Sequence, residues 1–346
     1  MIRPFLLHRY AAALAALVLA ASSTAAGAQV AGPKAGVPVE PQEVRAWLMR
    51  IHQAAQERNF QGTFIVSGSG GVASARIAHY WHGPNQFERI ESLDGQARTV
   101  FRHNDVVHTV WPQGRLVLIE QRNLPMTFPA LLQAGDDRIA DYYEVRQLGA
   151  ERVAGYEASV LLVKPRDAYR YGYRLWAEKN SGLLLRADVL GAQEETLETS
   201  AFSDVVIGVR PQPELVLQGM RRLEGYRIVK PVMAATTLDA EGWSLRAAAP
   251  GFRPVSCVRR PLDDQRSADL AAGEGQVVQT IFSDGLTHVS IFIEPYDPQR
   301  HLRPMLASVG ATQTLMQRHA DWWITVLGDV PTATLRAFFG ALERKR

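Results

Sequence analysis

Between Glu43 and Arg58 the apolar residues Val44, Trp47, Leu48, Ile51 and Ala55 recur three and four positions apart, while Arg45, Arg50 and Glu57 fall elsewhere. That period predicts a helix over 43–58 with one buried stripe. From Phe60 the period changes. Short runs at 63–66, 76–81, 86–90, 97–102, 106–111 and 116–120 follow at the even spacing of an antiparallel meander, with His103-Asn104-Asp105 and Pro112-Gln113-Gly114 as turns. Gly68-Ser69-Gly70-Gly71, between the first two runs, reads as a hairpin loop able to take positive φ. Residues 123–134 interrupt the series. Leu124, Met126, Phe128, Leu131 and Leu132 are apolar, but Pro125 and Pro129 deny this stretch a long helix or a central strand, so an irregular apolar loop must cover something.

Strands resume after Asp141. Tyr169, Tyr171, Tyr173, Leu175 and Ala177 alternate with Arg170, Gly172, Arg174, Trp176 and Glu178, which predicts a strand over 169–178. Turns at 179–182 and at Gly191 carry the chain into strands at 183–190 and 196–206. Pro211-Gln212-Pro213 opens a linker running to about residue 231, with a short helix at 215–223. Beyond it strands are expected at 242–247, 252–258, 277–282 and 286–293, the last two joined by Ser283-Asp284-Gly285. A helix from Thr332 closes the chain, with Leu335, Phe338, Phe339 and Leu342 on one face and Arg344-Lys345-Arg346 at the negative end of its dipole.

Composition fits this picture. Of 346 residues 47% are hydrophobic, and 7 Trp, 10 Tyr and 12 Phe are enough for a large core, which excludes a disordered chain. Arg3, His8 and Arg9 precede an apolar run at 11–21 that ends in Ala26-Gly27-Ala28, so residues 1–28 are expected to be a cleaved secretory signal. The layout is then a signal at 1–28, a first domain at 42–210, a linker at 211–231 and a smaller domain at 232–346. Losing Arg3 and Arg9 and no acid takes the formal charge from +3 to +1. Residues 29–212 hold 20 basic and 21 acidic side chains, and 213–346 hold 16 and 14, so neither half has the footprint of a nucleic-acid binder.

The search for chemistry finds no catalytic, cofactor or metal site. No G-x-S-x-G, P-loop or dinucleotide fingerprint is present. His79 and His82 lie three apart on a strand and point to opposite faces, and His103 and His108 flank a turn. Cys257 is alone, which excludes an internal disulfide, and reads as a small buried hydrophobe. Asp136-Asp137, Glu194-Glu195 and Asp263-Asp264 read as solvated turns. Arg259-Arg260 could clamp an acidic partner, or could equally be a solvated strand end. A helix 10–12 Å wide cannot cover eight or more strands about 4.8 Å apart. Either the 123–134 loop completes an ordinary core, or an outside ligand with acyl chains fills the remainder.

The stretch Trp176-Ala177-Glu178-Lys179-Asn180-Ser181-Gly182-Leu183-Leu184-Leu185-Arg186-Ala187-Asp188 resembles a hairpin of the RseB/MucB proteins, periplasmic negative regulators of the envelope-stress sigma factor. So do Pro250-Gly251-Phe252, Arg259-Arg260-Pro261-Leu262 and Phe282-Ser283-Asp284-Gly285-Leu286, in order and at similar spacing. The resemblance implies an α+β protein: an N-terminal domain like the lipoprotein carrier LolA, an unclosed antiparallel β-barrel around a helix, and a smaller C-terminal α/β domain. It also implies residence in the periplasm, binding to the periplasmic part of an RseA/MucA-like anti-sigma factor, protection of that segment from proteolysis, and release by lipoprotein acyl chains or lipopolysaccharide. No cofactor, no nucleic acid and no catalytic residue are implied, and a homo-oligomer is compatible. Candidate lipid contacts are Met126, Phe128, Leu131 and Leu132; candidate partner contacts are Arg259 and Arg260. The alternative from another class is a periplasmic lipid or lipoprotein carrier of LolA type, and a hydrolase of envelope polymers ranks last.

Overall fold

The computed structural model describes residues 36–121, 139–246, 248–261 and 275–345. In chain order the first part comprises β1 (Val37–Pro38), α1 (Pro41–Glu57), β2 (Phe60–Gly68), β3 (Gly71–His82), β4 (Asn85–Ser92), β5 (Thr99–His103), β6 (Val106–Trp111), β7 (Leu116–Gln121), α2 (Ile139–Tyr142), β8 (Tyr143–Val153), β9 (Tyr156–Pro165), β10 (Gly172–Glu178), β11 (Leu184–Leu190) and β12 (Thr196–Ile207). Then come α3 (Pro213–Arg221), β13 (Arg227–Val229), β14 (Ala234–Ala235), β15 (Trp243–Leu245), β16 (Arg253–Pro261), β17 (Gln276–Ser283), β18 (His288–Pro295), β19 (Met305–Val309), β20 (Thr312–His319), β21 (Trp322–Gly328), α4 (Thr332–Ala341) and β22 (Leu342–Arg344).

Thirteen strands form one sheet in the order β1-β8-β9-β10-β11-β12-β2-β3-β4-β5-β6-β7-β13. β1 and β13 sit at opposite ends and do not pair, so the sheet is not a closed barrel. Every pairing is antiparallel except β7 with β13. α1 lies on one face. Pro41 opens it, where a missing N–H costs nothing, and Val44, Leu48, Ile51 and Ala54 are buried. Ala54, not Ala55, completes the stripe. Val44, Leu48 and Ile51 join Val145, Leu161, Val163, Tyr173, Leu175, Ala187 and Val189 in one apolar cluster. On the opposite face Val216 and Met220 of α3 cover Tyr80 and Phe87. The chain between the two predicted domains is thus mostly built into the large sheet, through α3 and then β13.

A second, seven-stranded sheet has the order β14-β16-β17-β18-β21-β20-β19, all antiparallel, with α4 packed on it. Leu335, Phe338 and Leu342 are buried with Ile291, Ile324 and Val326. This is the expected α+β arrangement. Two local expectations fail. The strand predicted over 169–178 begins only at Gly172, because Asp167 Oδ1 accepts both the Tyr169 N–H and the Arg170 Nε–H and bends the chain. Arg344 is no dipole cap: α4 ends at Ala341, and Arg344 continues as strand opposite Trp243, its guanidinium 5.4 Å from the Trp243 ring and 4.9 Å from that of Trp322.

Candidate functional site

Cross-strand register decides which side chains share the face of α1. His79 pairs with Phe60 and bonds to α1, so the even-spaced residues Phe64 and Val66, and their partners Ala75 and Ala73, share that face. Beyond the reach of α1, Phe64, Val66, Ala73, Ala75, Ser92 and Trp111 line an open hollow of about 380 Å³, with Asp94 and Arg98 at its rim. Phe64, Val66, Ala75 and Trp111 are only half-buried. Under α1 the face is packed as an ordinary core; beside it, among the described residues, apolar surface stays open. Met126, Phe128, Leu131 and Leu132 lie outside the described residues.

A row of polar side chains crosses the same face, one register step beyond Ile77 from the hollow. His79, Glu88, Arg102 and Glu120 follow one another across β3, β4, β5 and β7, all buried. His79 Nε2 donates to the Gln56 carbonyl at 3.0 Å, and its ring stacks on Phe60. Burial, with Arg102 adding to it, pushes the His79 pKa down to about 3, so the ring is neutral and its 3.6 Å approach to Glu88 is not an ion pair. Among the described residues no group of three His, Cys, Asp or Glu side chains could hold a metal ion.

The second sheet docks on the same face. Leu286, between β17 and β18, and Ala311, in the β19–β20 turn, are buried in the cluster that holds α1 and the strands beneath it. Asp284 anchors this seam. Its Oδ2 accepts from Arg170 Nη1 at 2.7 Å and from the Tyr143 hydroxyl at 2.8 Å, while Oδ1 accepts the Leu286 and Thr287 N–H groups at 3.0 Å. Both charged side chains are fully buried. Burial opposes the Arg170 charge, yet the Asp167 hydrogen bond and the Asp284 carboxylate hold its pKa above the ordinary value. Burial and Asp284 together raise the Tyr143 hydroxyl, which stays protonated and donates. Arg170 also reaches the Pro250 carbonyl, and Thr334 Oγ1 donates to the Tyr169 carbonyl at 2.6 Å.

In a second strip of the seam, backbone N–H groups of one sheet meet side-chain oxygens of the other. Ser69 Oγ accepts the Gly310 N–H at 3.0 Å, and Glu198 Oε2 accepts the Ala311 N–H at 3.3 Å. A Cβ on Gly70 would stand 2.6 Å from Val309 Cγ1, and one on Gly310, at φ +59°, would fall on the Glu198 carboxylate. The glycine loop is therefore a hairpin, as its sequence indicates, and also a docking point. The sequence offered no sign of that second role, because Ser69 and Gly310 are 241 positions apart.

Arg259 and Arg260 lie on β16, away from these contacts. Arg259 Nη2 bonds both carboxylate oxygens of Glu241 at 2.7 and 2.8 Å, and Arg260 Nη1 faces Gln279 Oε1 at 3.3 Å. A further cavity of about 840 Å³ lies in the second sheet domain, walled by Leu238, Trp243, Phe252, Cys257 and Phe338. Burial raises the pKa of Cys257, which disfavours the reactive thiolate.

Comparison with known proteins gives concordant matches. The profile for the MucB/RseB N-terminal domain matches residues 43–220, and that for the MucB/RseB C-terminal domain matches 237–343. The sigma factor AlgU regulatory protein MucB of Pseudomonas aeruginosa is 29% identical over 300 residues, covering 83% of this chain and 87% of its own. The sigma-E factor regulatory protein RseB of Escherichia coli strain K12 is 23% identical over 305 residues, with 86% and 91% covered. A crystal structure of MucB in complex with MucA(peri) shares the fold at a TM-score of 0.63 and 24% identity, over 87% of this chain and 98% of that one. The complex structure of Pseudomonas aeruginosa MucA/MucB does so at 0.65 and 24%, over 88% and 99%.

Proposed function

The chain belongs to the MucB/RseB family, and we propose that it is a periplasmic negative regulator that binds the periplasmic segment of a transmembrane anti-sigma factor and shields it from proteolysis. Lipoprotein acyl chains or lipopolysaccharide release that segment. The names of the relatives support the regulatory reading, and the solved complexes of MucB with MucA support the partner. Among the described residues no helix is long and apolar enough to cross a membrane.

One observation carries the mechanism: the open apolar hollow and the seat of the second sheet share a face of the large sheet. An acyl chain that enters beside Phe64 and Trp111 and extends along that face meets Leu286 and Ala311, which occupy it in the docked arrangement. The docked state holds the anti-sigma segment, and the lipid-filled state disfavours docking. A ligand shifts such an equilibrium only by its differential affinity for the two states. The sequence adds Met126, Phe128, Leu131 and Leu132 as further proposed acyl contacts. A carboxylate of the partner reaching Arg259 would share the guanidinium with Glu241, which already takes both its bonds from Nη2. A simple LolA-type carrier would leave the docked second sheet without a role.

The test is a calorimetric titration of the anti-sigma periplasmic segment with and without a lauroylated lipopeptide. Binding should weaken with lipid present, and reciprocally lipid affinity should fall by the same factor when the segment is added. Equal affinities in the two titrations would refute competition.

A further inference from the structure

The two large sheets have four edges, and three of them are blunt: β1 and β14 are two residues long and β13 is three. The fourth, β19, is five residues long, Met305-Leu306-Ala307-Ser308-Val309, with neither charge nor proline inside it. Proteins guard a strand edge with short length, charge, proline or a cover, because its unpaired backbone is a template for another strand. Among the described residues no strand pairs with the outer side of β19. Val309 and Thr312 pair across a two-residue turn, so by the alternation of the antiparallel ladder Leu306 and Ser308 turn their N–H and C=O groups outward.

The side chains on this edge are apolar as well. Leu302, Met305, Leu306 and Val309 are 82, 43, 47 and 63% exposed. On the side facing α4, Leu306 lies beside Leu315, and the two help to line an open cavity of about 430 Å³ with Met305 and Arg336. From Pro298 to Ala320 the sequence holds Arg300, Arg303 and Arg318 and no Asp or Glu. Arg300 leans on Glu294 at 3.4 Å, while Arg303, Arg318 and Arg336 are exposed.

We propose that β19 is a strand-addition site that takes up an extended, acidic and partly apolar stretch of the anti-sigma segment, a placement that rests on the regulatory reading above. Main-chain bonds to Leu306 and Ser308 supply pairing. Alternate side chains of the guest strand enter the cavity beside Leu306, and its carboxylates face Arg303 and Arg336.

The experiment uses the full mature chain and the periplasmic domain of its anti-sigma factor. Leu306→Pro removes one outward N–H at an edge position, where proline is tolerated, and R303E/R336E reverses the rim charge without touching the backbone. Each variant should raise Kd at least tenfold, and the loss in R303E/R336E should shrink at high salt. Binding to the unaltered chain should slow hydrogen exchange at the Leu306 and Ser308 amides. If the unaltered chain does not bind the domain, the regulatory reading fails and this site with it. If it binds, but R303E/R336E binds equally well and the two amides gain no protection, only the strand-addition site is overturned. Dissociation of a homodimer by Leu306→Pro, with the Kd of R303E/R336E unchanged, would make the edge a self-pairing surface and also overturn it.

Discussion

Replacing Asp284 by Asn tests whether the buried seam charge holds the two sheets together. Asn keeps Oδ1 for the Leu286 and Thr287 amides, so the loop cap survives, but it turns an NH2 toward Arg170 Nη1 and the Tyr143 hydroxyl, both donors. Arg170, fully buried, is left with the part-exposed Asp167 as its anionic partner. Stranding one member of a buried pair costs roughly 3–5 kcal/mol. Undocking lets water reach Arg170, so the loss cannot exceed the docking free energy, and about 3 kcal/mol is expected. The assay is urea unfolding combined with hydrogen exchange. The Gly310 and Ala311 amides should exchange faster while the central strands β17 and β18 stay protected. Arg170→Met in the Asp284→Asn background removes the stranded charge and should recover more than half of the loss. A single-variant cost under about 1 kcal/mol, or costs that simply add in the double variant, would refute the reasoning.

His79 predicts a pH dependence. Its folded pKa of about 3 lies below the unfolded value near 6.5, so the unfolded chain takes up a proton that the folded chain refuses; this contribution to stability is complete above pH 6.5 and is lost as pH falls toward 3. The loss at pH 5 is about 2 kcal/mol, and His79→Gln should flatten that slope in denaturant midpoints measured between pH 7 and 5; an unchanged slope would count against the buried neutral ring. Gly310→Ala forces a side chain into a positive-φ turn and onto Glu198, and should destabilise the docked state by about 1–2 kcal/mol, read as faster exchange at Ala311; exchange at the original rate would remove the close approach from the account.

Local pattern carried β2 to β7 and β10 to β12 of the first sheet, while β8 and β9 were legible only as strands resuming after Asp141. The strands it did carry are joined by turns rich in Gly, Asn, Asp and Pro, and α1 has an unbroken apolar stripe, so these could be read from a short window. The seam could not. Arg170 alternates with tyrosines as an outward residue would, and only the fold brings Asp284, 114 positions away, to meet it. Asp284 sits in a Ser-Asp-Gly turn, whose composition signals solvent rather than burial. Trp176 was expected on a polar face, yet it is buried, with Arg186 4.4 Å from its ring and its Nε1 donating to Glu151. Strands β19 to β21 give weak signals because Ala320, not glycine, takes the positive φ in one of their turns. The same region supplies the open edge, which depends on what lies beside a strand and not on the strand's own residues.

The passage between the sheets has a consequence for any released state. β13 ends at Val229, still bonded into the large sheet, and β14 starts at Ala234 in the small one. Only residues 230–233 are free to extend, and five Cα–Cα steps reach about 18 Å at most. An undocked domain on so short a tether stays at an effective concentration in the millimolar range. Recapture is therefore quick and insensitive to how much protein the cell makes, so under the proposed lipid-release mechanism the domain would redock, once lipid leaves, at a rate set by its own geometry.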